Sequence, residues 1–356
     1  MNILYLGDES PGTTSRQRAG SLIRCGQDVV VLDPYAALAP YLSGRVRSAI
    51  HHRTGYRLLQ RQARLWIEQV VRVHAGWADL IWVNGGELFG ACAVNTLRSF
   101  GKPVVLYNND DPTGGRDGRR FDCLLMALPL YSLCIVLREP NVSEYLALGA
   151  KAVLRVWMSY DEVAHEPFVE RSKVPECYQS EVAFIGTWIR GEGRDKFLLD
   201  LIDQGVNVSI WGDRWSRAPN WDRLRPHWRG SALSGRDYVA SIQGAKITLG
   251  LLSHGNRDLH TSRSAEIPYA GGLLCAERTS EHQSMYVEGS EAVFWDDAKE
   301  CANVCKRLLA DDHLRERIRA AGMSRARSSE YGNDAKCKQI LSRISTLGQL
   351  EPTLIL

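Results

Sequence analysis

No stretch of this 356-residue chain stays apolar for the ~20 residues that a membrane-spanning helix needs. The longest candidate, residues 123–137, contains Pro129 and reads as a buried helix running into a buried strand, so no transmembrane segment is expected. The fingerprint G-x-G-x-x-G is missing, which removes the main support for a dinucleotide-dependent dehydrogenase. C-x-x-C is missing too, and the nine cysteines are scattered with no Cys/His cluster at metal spacing. Reduced, mostly buried thiols explain them, and the i,i+4 pair Cys301 and Cys305 reads as coincidence. A net charge of only +3 gives no global basic field, so nucleic acid is not expected as a partner. No signal-peptide pattern is visible before the first strand, and a cytoplasmic protein is the expectation.

What is present is the composition of a soluble globular protein, 44% apolar and 24% charged, in a chain too long for one ordinary core. Short apolar runs at 2–7, 29–33, 80–83, 104–107 and 133–137 alternate with helical patterns, the signature of α/β units with parallel sheets. A polar segment at 162–181, with Pro167 and Pro175, reads as a linker. Further strands are predicted at 182–187, 208–212, 247–252, 273–276 and 292–295. The domains are placed at 1–165 and 180–333, with a helix and tail at 334–356.

Residues 45–74 carry seven arginines against one acid, Glu68, while Leu59, Ala63, Trp66, Ile67, Val70 and Val71 recur at helical spacing. Two readings stand: a basic amphipathic surface for peripheral contact with anionic lipid at the inner membrane surface, or a core-packed helix with a solvated arginine face. The loop 108–112 follows a strand end, where open α/β sheets put their ligands. Asp110 and Asp111 there read as a catalytic base, as acceptor contacts, or as loop caps, with Asp8 a further base candidate. Three tryptophans among four arginines at 213–228 are read as packing their loop or lining a cleft.

The stretch 256–277 concentrates the chemistry. A strand, a polar loop and a helix start at Thr261 or Ser262 form an anion site, because free N–H groups and the helix dipole face the loop. Arg263 adds a planar, permanently charged donor suited to diphosphate. Glu266, one turn on, suits a ribose diol. Alternatively, Arg263 and Glu266 are an ordinary surface pair.

Three blocks occur in order: Asp258, His260, Thr261, Arg263, Glu266, Ile267, Pro268, Gly271 and Gly272; then Glu277, Arg278, Thr279, Glu281 and His282; then Glu288, Gly289, Glu291, Ala292, Val293 and Phe294. This order resembles the CgeB-like (spore maturation protein) branch of the group 1 glycosyltransferases. The resemblance implies a GT-B fold: two Rossmann-like domains with parallel sheets facing across a cleft, and a final helix returning to the first. It implies a nucleotide-diphosphate-sugar donor held by the C-terminal domain through Gly186, Thr187, Arg190, Arg194, Thr261, Ser262, Arg263 and Glu266. Glu266 matches the second of the family's paired glutamates, and Asp258 stands where the first would be. Asp258, His260 and His254 fall where the sugar would sit. The expected activity is transfer of a sugar to an unknown carbohydrate, lipid or protein acceptor, without cofactor and without metal, since the chain has no D-x-D; retention at the anomeric carbon is implied by the family. The rival readings are a catalytically idle GT-B scaffold and a sugar-nucleotide epimerase.

Overall fold

The computed structural model describes residues 1–349; the part of the expected helix and tail at 334–356 that falls beyond 349 lies outside the described residues. Contacts divide the chain into two compact units: Met1–Trp157 with Gly255–Arg257 and the stretch beginning at Asn333, and Met158–His254 with Asp258–Gly332.

In the first unit, β1 (Asn2–Leu6), β2 (Asp28–Leu32), β3 (Leu80–Asn84), β4 (Val104–Tyr107), β5 (Leu133–Val136) and β6 (Val153–Arg155) form one parallel sheet in the order β2-β1-β3-β4-β5-β6. Both faces are covered, so β3, β4 and β5 are buried along their length, as parallel strands between helices must be. Stacking of Trp82 on Tyr5 and on Tyr107, with centroids 6.2 and 6.0 Å apart, ties three neighbouring strands on one face. The C-terminal helix Asn333–Gln349 packs on the helix Thr14–Arg24, where Arg24 pairs with Asp334 at 2.8 Å.

In the second unit, β7 (Ser180–Ile185), β8 (Val208–Trp211), β9 (Trp228–Gly230), β10 (Ala245–Gly250), β11 (Leu274–Glu277) and β12 (Val293–Trp295) form a parallel sheet ordered β12-β11-β10-β7-β8-β9. Its core joins Val182, Phe184, Ile210, Ile247 and Leu249 to the apolar faces of the flanking helices. Strand order reverses between β1 and β3 in one sheet and between β7 and β10 in the other. At such a switch point the loops leaving adjacent strands diverge, and a crevice opens at the carboxyl ends.

Several sequence expectations change. The strands β6 and β9 were not foreseen. The 45–74 region is not one helix: Arg45–Arg53, Gln60–Trp66 and Arg72–Ala75 are α-helical, and Ile67–Val71 is a π turn. The extra residue of a π turn rotates the stripe, so Leu59, Ala63, Trp66, Ile67 and Val71 enter the core while Val70 is exposed. The cysteines are less scattered than their spacing suggests. The fold brings Cys275, Cys301 and Cys305 together, buried, with sulfurs within 4.8 Å of one another.

Candidate functional site

The switch point of the second sheet gathers most of the residues singled out between 186 and 266. After β7 the chain turns at Gly186 and Thr187, and backbone contact fixes the turn. Gly212, at φ +148°, lies so close to the Gly186 carbonyl that a Cβ there would stand 2.0 Å from its oxygen. The Gly186 N–H donates to the Trp211 carbonyl at 2.8 Å, and Trp215 Nε1 donates to the Gly186 oxygen at 2.9 Å. The tryptophan-rich loop thus packs against the first turn of the site.

After β10, the helix Ser262–Tyr269 begins with Thr261 as its N-cap in extended backbone. The Thr261 N–H donates to Ser264 Oγ at 3.0 Å, and Ser264 Oγ is 2.7 Å from His282 Nε2. His282 Nδ1 lies 2.6 Å from the Glu277 carbonyl. A carbonyl only accepts, so Nδ1 carries the proton, Nε2 accepts from the serine hydroxyl, and the ring is neutral. Burial pushes its pKa down from 6.5 to about 4. Thr279 caps the helix Ser280–Met285, its hydroxyl accepting from the His282 N–H at 3.0 Å.

This relay has a pH signature. The unfolded chain takes up a proton at His282 near pH 6.5 while the folded chain resists until about 4. The stability contributed is therefore complete above 6.5 and lost as pH falls toward 4. We expect His282→Gln to lower the melting temperature at pH 7.5 and to flatten the stability–pH slope between 6.5 and 4 by up to about one proton, read by denaturant unfolding across that range.

Arg263 sits one residue inside the helix. Its Nε donates to the Ile185 carbonyl at the end of β7, 2.7 Å away, which holds the guanidinium at the switch point. Its two terminal nitrogens make no hydrogen bond or ion pair among the described residues. Arg194, the first residue of the helix Arg194–Asp203, is used differently: its terminal nitrogens donate to the Thr187 and Leu252 carbonyls at 2.8 and 3.0 Å, bracing the two loops. Its pKa is lowered, first by burial and then by the Arg263 charge. Arg190 is exposed on the intervening loop, and Ser262 is half-buried at the helix start.

Glu266 does not pair with Arg263. It is buried, accepts from Tyr238 Oη at 2.5 Å and lies 3.7 Å from His165 Nε2. Asp258 is buried in the loop, its N–H on the Ser253 carbonyl at 3.3 Å. His260 is 1% exposed, with Nε2 accepting from the Met158 N–H at 2.9 Å and Nδ1 2.5 Å from Glu281. Both of its ring nitrogens are therefore engaged.

Two further acids shape the site. Glu192 accepts from Ser253 Oγ at 3.0 Å and from the His254 N–H at 2.9 Å; Glu277 accepts from the Leu252 N–H at 2.9 Å and lies 2.7 Å from His254 Nε2. Neither was assigned a role from the sequence. Glu277 ends β11, and the signal that could have found it is that position in a sheet of this type.

In the first unit, a cavity of about 450 Å³ opens at the β1/β3 switch point, lined among others by Asp8, Thr14, Ser15, Asn84, Glu87 and Asp110. Arg18, stacked 3.5 Å over the Tyr107 ring, donates to Asn84 Oδ1 at 2.6 Å and supports the wall from beneath. Asp110 and Asp111 part company. Asp110 lines the cavity, whereas the Asp111 side chain is fully buried and receives a bidentate Arg257 at 2.6 and 2.7 Å. Burial pushes the Asp111 carboxyl up, but the hydrogen bonds of Arg257 and Asn141 outweigh it and hold the pKa below the usual value. Glu144 shares the same guanidinium at 2.7 Å. Asp111 is thus an anchored anion.

Residues 193–342 match the family model described as glycosyl transferase-like. Comparison with curated protein sequences finds no match. Among solved structures, the chain is similar to sucrose-phosphate synthase from Thermosynechococcus elongatus, with a TM-score of 0.68 at 13% identity over 99% of this chain and 100% of that one. HepE of Anabaena, in complex with UDP, gives 0.67 at 14% identity over 97% and 100%. Trehalose 6-phosphate synthase from Burkholderia multivorans gives 0.61 at 12% identity over 98% and 97%. With its two six-stranded parallel sheets, the chain shares with these proteins the GT-B fold.

Proposed function

We propose that the protein is a glycosyltransferase, of the CgeB-like branch of group 1, that moves a sugar from a nucleoside-diphosphate donor to a hydroxyl acceptor with retention. The observation that carries this reading is Arg263: anchored through Nε on the end of β7, beside a capped helix start at the switch point, with both terminal nitrogens unengaged. As the bond from the anomeric carbon to the diphosphate oxygen breaks, negative charge grows on the leaving group. Arg263, the N–H groups at Ser262 and Arg263, and exposed Arg190 meet that charge in the role a metal has elsewhere. Thr187 and Gly186 border the diphosphate, and Glu266 accepts from the ribose through the oxygen that Tyr238 leaves open. The acceptor hydroxyl adds to the anomeric carbon as the bond to the diphosphate breaks, and its proton passes to a general base, for which Asp110 and Asp8 are the candidates. Asp258 and His260 position the loop that holds the sugar. UDP in the HepE complex belongs to that protein; the base used here is set by experiment.

The test is thermal denaturation against UDP, GDP, ADP, CDP and dTDP. A ligand that binds only the native state stabilises it by about 2.7 kcal/mol at a hundredfold excess over its dissociation constant. A shift with one nucleotide identifies the base; no shift with any of the five leaves the idle GT-B scaffold as the reading.

A further inference from the structure

At the opposite edge of the second sheet, where β7, β8 and β10 begin, lies a cavity of about 530 Å³ that the transfer reaction does not use. Four cationic side chains line it, Arg171, Arg229, Lys246 and Arg315, against one lining carboxylate, Glu181. Nearby charges do not balance them. Glu316 is shared by Arg171 at 3.2 Å, Arg319 and, at 4.0 Å, Arg315. Asp312, largely exposed, pairs with Arg315 at 2.7 Å. The side chains of Arg229 and Lys246 have no hydrogen bond or ion pair among the described residues. Two buried lining atoms, Ser180 Oγ and Arg315 Nε, have no hydrogen-bond partner among the described residues, and Arg315 is only 5% exposed. Burying unsatisfied donors is costly, and burying them beside excess positive charge more so. Arg171 registers that field: burial, then Arg319, lowers its pKa.

We propose that this cavity is a second ligand site, for a phosphate-type oxyanion carried on a small soluble molecule. Guanidiniums and an ammonium match phosphate oxygens, and the Ser180 hydroxyl adds a neutral donor. No aromatic side chain lines the cavity to stack a base, so the ligand is a phosphorylated metabolite or inorganic phosphate rather than a nucleotide read by its base. The site lies at the amino ends of the strands whose carboxyl ends form the transferase site, so it is separate from donor binding. An anion there is suited to regulating or steadying the domain.

The experiment is calorimetric titration with inorganic pyrophosphate of wild-type protein, of Arg229→Gln/Lys246→Gln, and of Arg263→Ala. Among the described residues neither residue of the double variant has a side-chain partner to lose, so its fold and melting temperature should hold. The expected result is a component of wild-type binding that weakens at least tenfold in the double variant and is retained in Arg263→Ala. No binding to wild type, or binding abolished by Arg263→Ala and untouched by the double variant, overturns the proposal. The test does not require the transferase reading to be correct.

Discussion

Arg263→Ala is expected to lower sugar transfer by about 10²–10³-fold, the loss typical of removing one preorganised donor from developing negative charge. Arg263→Lys recovers only part of it, because an ammonium cannot hold the Ile185 carbonyl through one nitrogen while presenting two others to phosphate. The assay is steady-state transfer with the nucleotide that shifts the melting temperature, run in EDTA because the charge is assigned to arginine. The variant should fold, since it loses one hydrogen bond to a strand end, and its stability should fall by about 1 kcal/mol. Full turnover in Arg263→Ala would remove the anion site from the mechanism.

The second large effect is on stability. Arg257→Ala leaves the fully buried Asp111 carboxylate without its bidentate partner and deprives Glu144 of its cation. Breaking a buried pair costs about 3–5 kcal/mol; the low end applies because Arg257 is one-third exposed. The sign with pH is definite. The Asp111 pKa is lowered on folding, so its contribution is present above the unfolded value of about 3.8 and is lost as pH falls through the folded one. In Arg257→Ala the pairing is gone, and acid should no longer cost the protein this contribution. Asp111→Asn in the same background should restore part of the loss, because no buried charge then remains unpaired. Equal melting temperatures for wild type and Arg257→Ala would contradict this account.

The strands legible in the sequence are those carried by a largely apolar run of four or more residues, including the half-buried edge strand β2 with its run Val29–Leu32. The run 104–107 is a strand with the expected bounds, and 80–83 extends by one residue to Asn84. The two missed strands are three-residue edge strands: β6 is half-buried throughout, and β9 is mostly exposed within a loop of tryptophans and arginines. An edge strand this short needs only one neighbour and buries few side chains, so its apolar pattern is faint. At the site, the helix start at Thr261 and its arginine could be read because capping and charge act within a few residues. The partners of Glu266 could not: Tyr238 and His165 lie 28 and 101 positions away. Nor could the fate of Asp111, whose cation is 146 residues downstream. Adjacent aspartates look alike in sequence, and only tertiary pairing separates a solvent-facing acid from an anchored one.

The string Thr261–Ser264–His282–Glu277 begins on a peptide N–H and ends on a peptide C=O. A peptide N–H only gives and a peptide C=O only takes, so the string has a single permitted polarity. The serine hydroxyl and the imidazole cannot reverse together as they would in a water wire. Grotthuss conduction through them is blocked, and His282, although it stands beside the helix start, relays no proton along the string at neutral pH.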